Sequence, residues 1–166
     1  MADPPVVFVS RSLPAPGVEP LRRGGLTVRY RDVDRPPTVD ELRAGVADAA
    51  ALLCLLSERI DAGLLEAAPE LVVVANLAVG FDNVDVAAAA ERGVVVTTTP
   101  DVLTDATADL AWALVLATAR RVTEADALVR RGEWGGFSPT LLLGSAVAGR
   151  TLGIVGLGAI GTAVAR

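Results

Sequence analysis

Short runs of apolar, largely β-branched residues alternate with more polar segments over the first hundred positions. Continuous apolar runs of this length are typical of strands buried on both faces of a parallel sheet. The polar segments between them have the length and the end signals of short helices. Five strands are therefore predicted, at residues 6–9, 26–30, 51–56, 71–75 and 94–96.

The predicted helices lie between these strands, and capping residues mark two of their starts. Thr38 and Glu41 have the spacing of a capping box, in which each side chain bonds the other's backbone N–H. Asp82 and Asn83 are the predicted caps of a helix over residues 84–92, because such side chains favour helix N-termini. This strand–helix alternation implies βαβ crossovers, so the α/β fold predicted here is a flavodoxin-like parallel-sheet domain. The other predicted helices cover residues 16–23 and 61–68.

The pattern changes after Pro100, where we place a domain junction. A long helical region begins near Thr104 and breaks near Arg121. Thr123, followed three residues later by Asp126, predicts a second helix start at that break. The predicted domains are residues 1–100 and 101–166.

A glycine-rich turn follows a predicted strand at residues 150–155. Gly156, Gly158 and Gly161 have the spacing of the dinucleotide-binding fingerprint, which needs a preceding strand and a following helix. The first glycine makes the tight turn, the second lets pyrophosphate approach the backbone, and the third permits close packing. We therefore predict the start of a Rossmann domain, with pyrophosphate held at Gly156, Gly158, Ala159, Ile160 and Gly161. The residue that separates NAD from NADP is expected beyond Arg166, so both cofactors stay open.

Composition excludes several other classes of function. A net charge of −5 disfavours a nucleic-acid partner, which needs a basic face. No apolar run is long enough to span a membrane, and no secretory signal opens the chain, so a cytoplasmic location is expected. The single cysteine, Cys54, is interpreted as a small buried hydrophobe, and no cluster of ligands predicts a metal site. The chain contains no histidine, so it offers no imidazole for proton transfer.

Four segments carry a resemblance to a known family, and they are residues 55–61 (LLSERID), 76–86 (NLAVGFDNVDV), 99–111 (TPDVLTDATADLA) and 149–158 (GRTLGIVGLG). In the same order, they resemble the D-isomer-specific 2-hydroxyacid dehydrogenases, most closely their glyoxylate/hydroxypyruvate reductase branch. The segment at residues 99–111 is far more specific than the glycine fingerprint. The resemblance implies an oxidoreductase that moves a hydride between NAD or NADP and a small 2-oxo or 2-hydroxy acid.

The resemblance also implies roles for individual residues. The backbone N–H groups of Val79 and Gly80 would hold the substrate carboxylate, with glycine allowing the close approach of an anion. Leu56, at the end of its strand, would face the substrate, and burial in the core is the alternative. Thr107 would contact the cofactor. Phe137 occupies the place of an aromatic near the active site, although packing on its own subunit is favoured.

The family's catalytic arginine, glutamate and histidine lie downstream of the glycine fingerprint, so no residue here is assigned a catalytic role. The 166 residues alone are therefore expected to be inactive. The resemblance further implies a homodimer for the full-length protein, through the helix that carries Leu110, Trp112 and Leu114. These side chains, together with Val115, are interpreted as packing residues rather than as part of a cofactor site. A non-catalytic binding or dimerisation module of the same family is the second hypothesis.

Overall fold

The computed structural model describes residues 3–166, which divide into two compact units, the first up to Pro100 and the second Asp101–Arg166. Five strands of the first unit form one parallel sheet in the order β2-β1-β3-β4-β5. This is the strand order of flavodoxin-like folds, so the predicted fold class is confirmed. The elements are β1 (Val6–Val9), α1 (Ala15–Arg23), β2 (Thr27–Tyr30), α2 (Val39–Val46), β3 (Ala51–Cys54), α3 (Ala62–Glu66), β4 (Val73–Asn76), α4 (Val86–Glu91) and β5 (Val95–Thr97).

The core of the first unit lies on the central strands. Leu52 of β3 is paired with Phe8 of β1 and Val74 of β4, and both Leu52 and Val74 are fully buried. Helix α2 approaches β1 so closely that a Cβ atom at Gly45 would collide with the Phe8 ring. In β3 and β4 fully buried residues alternate with partly buried ones, so the main core lies on one face of the sheet and the predicted burial of both faces is only partial.

The N-terminus of α2 has the predicted capping box. The Glu41 N–H donates to Thr38 Oγ1 at 3.2 Å, and the Thr38 N–H donates to Glu41 Oε2 at 2.7 Å. The Arg35 guanidinium and the Thr38 N–H, with Arg31 nearby, lower the pKa of Glu41 to about 2. Two backbone donors at the helix start are therefore satisfied, one by the Thr38 hydroxyl and one by a Glu41 carboxylate that stays charged.

Helix α4 begins later than the sequence predicted. Asp85 is its N-cap, with Oδ1 accepting from the Ala88 N–H at 3.0 Å. The prediction that Asp82 and Asn83 cap this helix was wrong, because both lie in a turn that ends in an isolated β-bridge between Val84 and Ile60. Strand β3 also ends at Cys54, so Leu56 lies in the turn after the strand.

The second unit contains α5 (Thr104–Ala119), α6 (Val122–Arg130) and α7 (Ala159–Ala165). Helices α5 and α7 pack together, and Trp112 Nε1 donates to the Val164 carbonyl oxygen at 3.0 Å. The predicted strand at residues 150–155 forms no β-ladder, since Asp101–Arg166 supplies no second strand to pair with it. A strand is defined by hydrogen bonds to a neighbour, which an apolar pattern alone cannot provide.

The break between α5 and α6 is where the sequence placed it, but its cause differs. Arg121 adopts a left-handed conformation with φ of 55°, and it precedes α6 without a side-chain cap. Its guanidinium instead bonds both carboxylate oxygens of Glu124, at 3.0 and 2.6 Å. The prediction that Thr123 and Asp126 start the helix was therefore wrong. Within residues 3–166, no helix is long and apolar enough to cross a membrane.

Candidate functional site

The loop after β4 leaves adjacent backbone donors free, and those of Val79 and Gly80 are among them. Within residues 3–166, the N–H groups of Val79 and Gly80 have no hydrogen-bond acceptor, whereas the Ala78 N–H donates to the Asn76 carbonyl oxygen at 2.8 Å. Val79 is 46% exposed, and Gly80 is half-buried. Adjacent N–H groups without acceptors are available to bind an anion.

The carbonyl groups of the same loop are bonded to the interior of the unit. The Thr99 N–H donates to the Ala78 carbonyl oxygen at 2.7 Å, and the Leu77 N–H donates to the Cys54 carbonyl oxygen at 2.8 Å. Asn76 Nδ2 donates to the Gly80 carbonyl oxygen at 2.9 Å. Hydrogen bonds to its carbonyl oxygens and from the Leu77 N–H therefore hold the loop in place. The N–H groups of Val79 and Gly80 remain available to a ligand.

The turn after β3 lies beside this loop and is built on a buried acid. Glu58 is 2% exposed, and its carboxylate accepts hydrogen bonds from Ser10 Oγ at 2.9 Å, the Leu55 N–H at 2.5 Å and Ser57 Oγ at 2.7 Å. Three donors compensate the cost of burying the charged group. Leu56 is 60% exposed in the same turn, so the alternative that it belongs to the core is wrong.

The buried polar residues Ser10, Glu58 and Asn76 were not predicted from the sequence. Ser10 directly follows β1, Asn76 ends β4, and Glu58 lies in the turn after β3, at the carboxyl ends of the central strands where functional side chains of open α/β sheets gather. A polar residue at or near the carboxyl end of an apolar run was the sequence feature that could have identified them.

A cleft of about 410 Å³ lies between the turn after β3 and the start of α4. It contains Leu56 but neither Val79 nor Gly80. The predicted substrate residues therefore lie on neighbouring loops at one sheet edge without sharing this cleft. Its lining is Leu56, Ser57, Arg59, Ile60, Asp61, Asp82, Asn83, Val84 and Asp85.

Cys54 lies beneath the two loops, and it is fully buried as predicted. Burial, and then the charge of Glu58, raise the pKa of the Cys54 thiol to about 12. The thiol therefore stays protonated near neutral pH and is a poor nucleophile. Among residues 3–166, no group of three or more acidic, cysteine or histidine side chains is arranged to hold a metal ion.

The glycine-rich turn of the second unit has the conformation that its sequence pattern demands. Gly156 has a φ of 93°, which L side chains rarely adopt. A Cβ atom at Gly158 would meet nothing within 4 Å, whereas one at Gly161 would collide with the Gly156 carbonyl oxygen. Ala159 and Ile160, both exposed, open α7, and the first N–H groups of a helix lack intrahelical acceptors. Open space beside such donors fits a pyrophosphate.

Other predicted residues of the second unit lie at its surface. Thr107 is exposed in the first turns of α5. Phe137 is 92% exposed in its loop, so the described residues leave its ring uncovered, and packing elsewhere on its own subunit stays a prediction. Leu110 and Leu114 are each 59% exposed, whereas Trp112 packs on α7.

Comparison with known proteins gives a consistent result. The sequence pattern described as D-isomer specific 2-hydroxyacid dehydrogenase, catalytic domain, matches residues 6–157. A glyoxylate reductase of Thermococcus kodakarensis is 51% identical over 98% of this chain and 50% of its own length. A glyoxylate reductase of Thermofilum pendens is 44% identical over 98% of this chain and 48% of its own.

Solved structures agree with the sequence relatives. A protein from Thermus thermophilus superposes with a TM-score of 0.89 at 48% identity, over 96% of this chain and 51% of its own. An NADPH-dependent glyoxylate/hydroxypyruvate reductase from Sinorhizobium meliloti, in complex with NADP and malonate, gives a TM-score of 0.72 at 35% identity, covering 97% and 49%. The chain spans about half the length of the relatives it matches.

Proposed function

Because the chain belongs to the D-isomer-specific 2-hydroxyacid dehydrogenase family, we propose that its protein transfers a hydride between NAD or NADP and a small 2-oxo or 2-hydroxy acid. Glyoxylate and hydroxypyruvate are the proposed substrates, in keeping with the names of the relatives. The observation that carries this proposal is the free N–H pair of Val79 and Gly80. The first unit is then the substrate domain, and the second begins the NAD(P)-binding domain.

In this proposal the N–H groups of Val79 and Gly80 bind the substrate carboxylate. Their loop is fixed through its carbonyl groups, so the donors need no rearrangement when the anion arrives. Leu56, exposed on the neighbouring turn, supplies an apolar contact to the small acid. The role of these residues is to fix the position of the 2-oxo group.

Gly156, Gly158, Ala159, Ile160 and Gly161 are proposed to hold the pyrophosphate of the dinucleotide, with Thr107 as a further cofactor contact. When bound, the nicotinamide supplies or accepts the hydride. The proton comes from outside the residues assigned here, since the chain contains no histidine and the resemblance implies a catalytic arginine, glutamate and histidine beyond Arg166. The cytoplasmic location stays a prediction.

A second candidate function is a non-catalytic binding or dimerisation module of the same family. The exposed Leu110 and Leu114 on α5 support self-association, because large apolar side chains grouped on one helix favour an interface. The same surface supports the homodimer proposed for the full-length enzyme. The two candidates differ in whether the protein turns over a 2-oxo acid.

The test uses the complete product of the reading frame that encodes this chain, purified from a host without such reductases. Oxidation of NADH and NADPH is measured with glyoxylate and with hydroxypyruvate. A Gly80→Ala variant adds a methyl group beside the proposed carboxylate, yet its Cβ would lie 3.7 Å from Asp82 Oδ2, an ordinary contact that the fold tolerates. We expect its KM for the 2-oxo acid to rise about tenfold, since small misplacements at a binding site weaken it strongly.

Gly17→Ala is the matched control, because its Cβ would contact only the Leu13 side chain, at 3.8 Å, in α1. This variant is expected to keep the KM of the unmodified protein. Absence of turnover with every 2-oxo acid contradicts the enzyme and favours the module. Equal KM values for the two alanine variants contradict carboxylate binding at Gly80.

A further inference from the structure

Two asparagine side chains connect the loop after β4 with the turn after β3. We propose that Asn76 and Asn83 are positioning residues, which hold the N–H groups of Val79 and Gly80 in place for the substrate carboxylate. The inference rests on the proposed function and adds to it the side chains that build the carboxylate loop.

Asn76 is the inner member of the pair, and only 2% of it is exposed. Its Nδ2 donates to the Gly80 carbonyl oxygen at 2.9 Å and to Asn83 Oδ1 at 3.0 Å. Its Oδ1 accepts from Cys54 Sγ at 3.4 Å. Both amide hydrogens and the amide oxygen are therefore used, as a buried polar side chain requires.

Asn83 extends the connection to the neighbouring turn. Its Nδ2 donates to the carbonyl oxygens of Leu55 at 3.2 Å and Glu58 at 3.0 Å. The backbone of Asn83 is anchored separately, because its carbonyl oxygen accepts from the Ile60 N–H at 2.8 Å. The Asn83 side chain therefore links the two loops, and the backbone of residue 83 is held without it.

These contacts orient the donors because a peptide unit is planar. In a trans peptide the C=O and N–H groups point in opposite directions, and the described chain has no cis peptides. The Ala78 carbonyl, held by Thr99, therefore directs the Val79 N–H away from the interior. The Gly80 carbonyl, held by Asn76, fixes the peptide unit on the other side of Gly80. The Gly80 N–H lies between two fixed units, one of which depends on the amide pair.

The pair also explains why these positions carry amides. A carboxylate at residue 83 would have no proton for the Leu55 and Glu58 carbonyl oxygens, and an apolar side chain would leave them unbonded. Only an amide supplies donors to two carbonyl groups and an acceptor to Asn76 at once. The buried network fixes one arrangement of two loops.

Asn83→Asp in the complete protein is the primary test. The substitution keeps the size of the side chain and the backbone bonds to Ile60, but it removes both amide donors. We expect the KM for glyoxylate to rise about tenfold or more, because the part-buried carbonyl oxygens of Leu55 and Glu58 lose their donors and the loop shifts. The KM for NAD(P)H is expected to stay unchanged, and kcat to change by less than the KM for glyoxylate. Asn83→Ala, which brings no charge near the carbonyl groups, serves if the aspartate variant fails to fold.

Cys54→Ala is the matched control. The Cys54 side chain contacts the Asn76 amide from the interior, and it makes no hydrogen bond to a carbonyl group of either loop. A purely structural role of Asn83 predicts that both variants lower the amount of active enzyme and leave the KM for glyoxylate unchanged. That result overturns the proposal. A rise in this KM in the Asn83 variants alone supports it.

Amide hydrogen exchange separates this proposal from the proposed function. If the unmodified protein reduces no 2-oxo acid, the proposed function fails, and exchange at residues 78–81 still reports on the loop. Faster exchange there in Asn83→Asp than in Cys54→Ala supports the positioning by the amide pair. Equal exchange in the two variants overturns it.

Discussion

The two units differ in what holds their candidate binding elements. The first unit has a continuous buried core beneath its sheet, whereas Ala108 is the only buried hydrophobic residue described in the second. The substrate loop is accordingly fixed by residues far away in the chain, such as Asn83 bonding to Leu55, 28 positions earlier. The glycine turn is shaped by its own members, with Gly161 packed against the Gly156 carbonyl group. A binding element can therefore be specified by tertiary contacts or by local backbone conformation.

The largest expected difference between the two units is in the free energy of unfolding when one leucine side chain is removed from each. Leu52→Ala removes a fully buried side chain from β3 and is expected to lower the free energy of unfolding by about 2–5 kcal/mol. Leu114→Ala removes a side chain that is 59% exposed on α5 and is expected to change it by less than about 0.5 kcal/mol. Alanine is a good helix former, so the second substitution carries little propensity cost. Urea unfolding of the two variants measures both values.

An equal loss in both variants would contradict the contrast, since it would mean that Leu114 is buried in the protein in solution. Measurement at several protein concentrations then identifies the cause. A loss for Leu114→Ala that appears only at concentrations where the protein self-associates points to the proposed homodimer.

The second test alters the glycine turn. Gly161→Ala places a Cβ against the Gly156 carbonyl group, and a backbone atom cannot move aside as a side chain can. Overpacking costs about 1–3 kcal/mol, so NAD(P)H binding to the complete protein should weaken by about tenfold or more. Gly153→Ala is the control, because its Cβ would meet nothing within 4 Å. Fluorescence titration measures the affinity of both variants for NADH. Equal affinities would contradict a role of the glycine turn in cofactor binding.

The same contrast explains how far the sequence could predict the fold. The strands of the sheet, the capping box of Thr38 and Glu41, and the glycine turn all follow from residues close together in the chain. The predicted strand at residues 150–155 failed because a ladder depends on a partner strand, which an apolar pattern does not reveal. The start of α6 failed because Arg121 in a left-handed conformation took the place of a side-chain cap.

The candidate site was predictable only in part for the same reason. Val79 and Gly80 were identified by resemblance, and their contribution comes from backbone groups. Asn83 was interpreted as a helix cap because asparagine is favoured at caps and in buried networks alike, and the two roles look the same within a short window. Its true partners, Leu55 and Glu58, lie in another loop. Asn76 and Glu58 have no local signal beyond their place at, or shortly after, the end of an apolar run.

The smallest expected effects concern two glutamates, one at a helix start in each unit. The pKa of Glu41 is lowered to about 2, first by Arg35 and then by the Thr38 N–H, and the pKa of Glu124 is lowered by Arg121 alone. A carboxyl group whose folded pKa is depressed stabilises the fold above its unfolded pKa. That contribution from Glu41 is therefore lost as pH falls from about 4.5 towards about 2.

Titration of the glutamate carboxyl groups by NMR tests both shifts in one sample. We expect Glu41 to titrate at the lower pH, because its carboxylate accepts from Arg31, Arg35 and the Thr38 N–H. Arg35→Gln should raise the pKa of Glu41 and leave that of Glu124 unchanged, and Arg121→Gln should do the reverse. Each unit thus serves as the control for the other. A Glu41 pKa in the ordinary range would mean that Arg35 does not hold the capping box in solution, since the surface pair would then be open to solvent and screened.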